Sequence, residues 1–62
     1  MGYKVKEARE EKRMTQEELS KKSGVSRSTI VAIEKGKAID VKVSTLLKLA
    51  NALDTTVAAI FF

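Results

Sequence analysis

Apolar residues recur along this chain mainly at intervals of three and four, and no alternation is long enough to build a sheet. The spacing predicts an all-α chain of five helices. The first spans about Tyr3 to Arg13, with Val5 and Ala8 inward and charges on its other sides. The second is the best marked. Thr15 stands at the capping position with Glu18 three residues on, and Met14 and Leu19 flank this box as a hydrophobic staple. It should run from Gln16 to Lys22 or Ser23 and stop at Gly24, which tolerates a left-handed backbone. The third repeats the logic, with Ser26 as cap, Val25 and Ile30 as staple, and Lys35 and Gly36 at its close. A fourth is expected from about Val43 to Leu53, with Val43, Leu46, Leu47, Ala50 and Leu53 on its inward side and Asp40 as a candidate cap. A fifth, short helix follows Thr56, with Val57, Ile60 and Phe61 inward. No internal repeat or linker divides residues 1–62, so a single domain is expected.

The second and third helices are separated by only three or four residues, which forces a sharp corner. Ser20 must be small where the helices cross, Gly24 must turn, and Leu19, Val25, Ile30 and Ile33 must fill the angle. All are in place, and together they meet the specification of a helix-turn-helix. At about 100° per residue, Ile30 and Ile33 set the inward side of the third helix. Ser28 and Ala32 then point away, with Arg27 and Val31 beside them. A helix meant only for water would carry Glu and Lys there. This face is instead slim and nearly uncharged, with one arginine at its start.

Composition narrows the function. The chain has 62 residues, no cysteine and no histidine. That excludes a disulfide framework, the usual zinc ligands and nucleophile–histidine chemistry. A domain of this size buries only about 60% of its unfolded surface and leaves little room for a substrate cleft, so an enzyme is not expected. No cofactor or small-molecule ligand is implied. No apolar run approaches a membrane span or a signal peptide, and the expected compartment is the cytoplasm. The formal charge is +4, and it is localised. From Lys12 to Lys37, seven basic residues face three acidic ones, while the rest of the chain balances. A localised basic region suits a polyanion, either nucleic acid or an acidic protein surface, though it also suits a merely soluble surface.

The stretch "TQEELSKKSGVSRSTIVAIEKGK" resembles the phage-repressor and Cro-like helix-turn-helix family of bacterial and phage DNA-binding regulators. The likeness extends from "KEAR" (Lys6 to Arg9) through "STLLKLANAL" (Ser44 to Leu53) to Ile60 and Phe61. It implies a compact lambda-repressor-like domain that docks on duplex DNA, usually as a homodimer, and regulates transcription, most often as a repressor. It also implies a bacterial or phage origin. The slim face then suits the major groove. Ser28 can exchange hydrogen bonds with a base edge, Val31 and Ala32 can pack on thymine methyl groups, and Arg27 can pair with guanine. The alternative for this face is packing against another helix. Gln16, opening the second helix, is expected to hold a phosphate with its amide and nearby backbone N–H groups, as the family's matching glutamine does. Lys35 and Lys37 are expected at phosphates or else simply in solvent, and Thr29 either reaches a phosphate or serves structure. The resemblance further implies that Arg9 and Glu34 form a structural ion pair between the first and third helices.

The chain departs from the family pattern in two places. Between Gly36 and the fourth helix it reads "KAIDVKV", without the usual proline, which leaves Lys42 as the loop's phosphate candidate. Near the end, Ala58 and Ala59 stand where acidic residues are common. With Phe62 they suggest an apolar patch and a dimer contact, the alternative being core filling by Phe61. The leading expectation is a small DNA-binding repressor that reads an inverted repeat. The competing one is a protein-interaction module, such as an antitoxin half or docking domain.

Overall fold

A computed structural model describes residues 3–37 and 41–61. Its elements are α1 (Val5–Glu11), α2 (Gln16–Ser23), α3 (Arg27–Glu34), α4 (Val43–Ala52) and α5 (Val57–Phe61). Among the described residues there is no strand, and no helix is long and apolar enough to cross a membrane. The helix starts follow the local signals. Thr15 Oγ1 accepts from the Glu18 N–H (3.0 Å) while Glu18 Oε1 accepts from the Thr15 N–H (2.8 Å), a complete capping box. Ser26 Oγ accepts from the Thr29 N–H at 3.3 Å. Thr56 Oγ1 accepts from the Ala59 N–H at 3.2 Å. Gly24 ends α2 in the left-handed region at φ 77°. Asp40, the expected cap of α4, lies outside the described residues. Lys42 stands at that cap and gives no side-chain hydrogen bond.

The helices enclose one core. Val5, Leu19, Val25, Ile30, Ile33, Leu49, Ala50, Ala52, Leu53 and Ile60 meet there, with Tyr3, Ala8, Met14, Val41 and Val57 packed around them. α2 packs on α3 and α4, α4 on α5, and α1 on α3 and α5. The Lys4 N–H donates to the Ile60 carbonyl at 2.6 Å, and the rings of Tyr3 and Phe61 lie 5.2 Å apart, so the first and last helices close the domain. Two expectations are corrected. The first helix is shorter than Tyr3–Arg13: it ends at Glu11, and Arg13 takes φ 56° in the turn beyond. On α4 the inward stripe is Leu46, Leu49, Ala50 and Leu53, whereas Val43 and Leu47 are 67% and 50% exposed. Both stripes satisfy i, i+3, i+4, i+7. The two share Leu46, Ala50 and Leu53; the observed register adds the fully buried Leu49 and leaves Val43 and Leu47 to solvent.

Candidate nucleic-acid interface

Backbone groups at the α2–α3 corner are held by side chains that the local sequence supplies. Ser20 Oγ donates to the Val25 carbonyl at 2.7 Å, and Ser23 Oγ accepts from the Val25 N–H at 3.1 Å. Both polar groups of a buried residue are thereby satisfied, and Val25 is fixed as the hinge of the corner. The smallness of Ser20 is legible in the sequence, but its second role as a hydrogen-bond donor is not. Beyond the corner, Ile30 and Ile33 are fully buried and anchor α3 to the core.

On the outer side of α3, Arg27 and Ser28 are exposed, while Val31 and Ala32 are half-buried. The four expected groove residues therefore share one side of the helix, most open at its N-terminal end. Thr29 is half-buried and its hydroxyl lies 2.8 Å from Ser26 Oγ, so it is engaged in the cap of α3. Lys35 and Lys37 are exposed just past the helix, where the Lys37 N–H returns to the Ala32 carbonyl at 2.9 Å. Gly36, between them, adopts φ 71° and allows that return.

Glu34 is the one carboxylate of α3, and it is turned inward with its side chain only 4% exposed. Arg9 Nε donates to Glu34 Oε2 at 2.8 Å, Arg9 Nη2 to Oε1 at 3.3 Å, and Gln16 Nε2 to Oε1 at 3.0 Å. Arg9 Nη1 also donates to the Met14 carbonyl at 2.7 Å. One network thus ties α1, the α1–α2 turn, the start of α2 and the end of α3. The hydrogen bond to Glu34 raises the Arg9 guanidinium's pKa above its ordinary value, against the opposing effect of burial. The ion pair that the resemblance implies is present. The share that Gln16 takes in it has no signal in the sequence, because Gln16 and Glu34 are 18 positions apart. One amide N–H of Gln16 remains for another acceptor.

Arg9, Thr15, Gln16, Glu17 and Arg27 line an open concavity of about 420 Å³ where the starts of α2 and α3 approach each other. Two expected contact residues, Gln16 and Arg27, are brought together there. Ala58 and Ala59 are exposed on α5, and the third expected dimer residue, Phe62, lies outside the described residues.

Two helices locked at a clamped corner, the second with an outward face free of acid, define a helix-turn-helix domain. The chain belongs to the Helix-turn-helix family, whose model matches residues 5–60. It is similar to an uncharacterized HTH-type transcriptional regulator of Methanocaldococcus jannaschii, 44% identical over 61 residues that cover 98% of this chain and 91% of that protein. An uncharacterized HTH-type transcriptional regulator of Archaeoglobus fulgidus is 41% identical over 61 residues, 98% of this chain and 84% of that protein. A second from the same organism is 57% identical over 37 residues, 60% of this chain and 53% of that protein. These relatives are archaeal, whereas the resemblance pointed to bacteria and phages. No solved structure matches the chain.

Proposed function

We propose that this protein is a transcriptional regulator that binds duplex DNA by seating α3 in the major groove. The observation that carries the reading is the outer side of α3. Its only carboxylate is turned inward and engaged by Arg9 and Gln16, which leaves Arg27 and Ser28 exposed with no acid of the same helix beside them. Such a face can approach a polyanion with no outward acid of its own helix to repel it, the exposed carboxylate that shares the concavity with Arg27 being set on α2 at Glu17, and the helix is slim enough to enter a groove. Arg27, Ser28, Val31 and Ala32 read bases. Gln16, Lys35 and Lys37 hold backbone phosphates and set the register, and Thr29 supports the start of α3. The protein acts as a repressor by occupying an inverted repeat as a homodimer, with two recognition helices about 34 Å apart in successive major grooves. Exposed Ala58 and Ala59 on α5, with Phe62, furnish the two-fold contact.

The division of roles is tested by substitution on a fixed duplex. Arg27→Ala should cost about 1–3 kcal/mol and relax preference at one base position. Lys35→Ala should weaken binding to every sequence alike and lower the salt dependence by about one unit. Equal effects of the two variants on all sequences would contradict the assignment. A second reading, as a protein-docking module, draws on the apolar Val43 and Leu47 exposed on α4. A weak salt dependence on DNA together with capture of a protein through that face would favour it.

A further inference from the structure

Four described residues adopt a positive φ, and each stands just beyond a helix end. Gly24 and Gly36 do so without steric cost, and Asp54 has a short polar side chain that tolerates the conformation. Arg13, at φ 56°, has neither excuse. The turn that holds it is firmly built. The Arg13 N–H donates to the Glu10 carbonyl at 2.9 Å, the Met14 N–H donates to the Arg9 carbonyl at 3.1 Å, and Arg9 Nη1 donates back to the Met14 carbonyl at 2.7 Å. Arg13 itself is exposed, and among the described residues its guanidinium has no partner. It is followed two and three residues later by Thr15 and Gln16, which line the concavity shared with Arg9 and Arg27. Neighbouring Lys12 lines a different groove, beside the acids Glu7, Glu11 and Asp54. Arg13 lines neither.

A left-handed backbone at an unpaired arginine, on a clamped turn next to the proposed binding surface, is the kind of strained position that clusters at functional sites. We infer that Arg13 makes a further backbone-phosphate contact, at the edge of the DNA footprint and outside the helix-turn-helix itself. The inference rests on the reading of the protein as a duplex DNA binder. A guanidinium suits the task, because it pairs with phosphate oxygens through two parallel N–H donors and carries no base preference there. The turn's hydrogen bonds hold the arginine backbone in position before DNA arrives, which reduces the ordering that binding requires.

Glycine at this position removes the charge while easing the backbone, so stability and binding should respond in opposite directions. Fluorescently labelled duplex DNA is titrated with the unaltered protein, Arg13→Gly and Arg13→Lys over a series of salt concentrations, and each protein is melted in parallel. Arg13→Gly should melt at or above the unaltered protein's temperature. It should bind about five- to tenfold more weakly near 0.1 M salt, with a salt slope lower by about one unit. Arg13→Lys should keep the slope. An unchanged affinity and slope in Arg13→Gly would overturn the inference and leave Arg13 as a helix stop. A loss in Arg13→Lys as large as in Arg13→Gly would overturn it too, since charge would not be the cause. Absence of salt-sensitive binding by the unaltered protein would overturn the DNA reading together with the inference, an outcome separable from the others because it does not depend on a variant.

Discussion

Glu34 ties the stability of the domain to the helix face proposed for recognition. It accepts from Arg9 and Gln16 and lies almost wholly out of water, so deleting it strands a half-buried guanidinium and an amide. Breaking a buried pair from one side costs about 3–5 kcal/mol. Glu34→Ala should therefore lower the melting temperature by well over ten degrees, since each kcal/mol shifts a domain of this size by about 4–8 °C. An unchanged melting curve would refute the network. Because the Arg9 pKa is raised, its contribution is fully present below the unfolded value and is lost as pH rises from there through the folded one, beyond the range of ordinary buffers. Gly24 offers a second residue-scale test. A Cβ there would meet nothing within 4 Å, so only the backbone at φ 77° resists substitution. Gly24→Ala should cost about 1–2 kcal/mol in chemical denaturation and Gly24→Asn distinctly less. Equal losses would mean that side-chain crowding, not the left-handed backbone, sets the requirement.

At the scale of the elements, the signals that could be read from sequence were those contained within a few residues. The Thr15–Glu18 box, the Ser26 cap and the Gly24 stop all concern donors and acceptors less than one turn apart, and each is found as expected. The end of α1 was not legible, because no glycine marks it and an arginine takes the left-handed position. The inward face of α4 was legible at Leu46, Ala50 and Leu53 but not at Leu49, because "VSTLLKLANAL" satisfies two helical registers and only packing against α2 and α5 selects between them. The choice has a direct test. Leu49 is fully buried, so Leu49→Ala should cost about 2–5 kcal/mol, whereas Leu47→Ala, at a half-exposed position, should change stability by less than about 1 kcal/mol. The reverse order in a denaturation series would show that α4 is rotated from the register described. The network around Glu34 was legible in part. The Arg9–Glu34 pair came with the family resemblance. The Gln16 bond arises only once α2 and α3 are folded onto each other.

For the whole molecule, the arrangement separates two tasks. The core and the α1–α5 closure hold the domain together, while the starts of α2 and α3 meet at an open concavity that brings Gln16 and Arg27 together. The charge excess between Lys12 and Lys37 falls on the segment that holds α2, α3 and the turns beside them, which suits a polyanion but equally suits a solvated surface. One recognition helix of eight residues can address only a few base pairs. The proposed reading meets this limit with a second copy, joined through the exposed alanines of α5.

The measurement that tests this account most directly is selection of bound fragments from a random duplex DNA library at near-physiological salt. A dimer that seats α3 in successive major grooves should recover an inverted repeat, with half-sites one helical turn apart and a guanine opposite Arg27. Recovery of no motif, with binding that is general and merely salt-sensitive, would contradict this docking and leave the slim face of α3 for a protein partner.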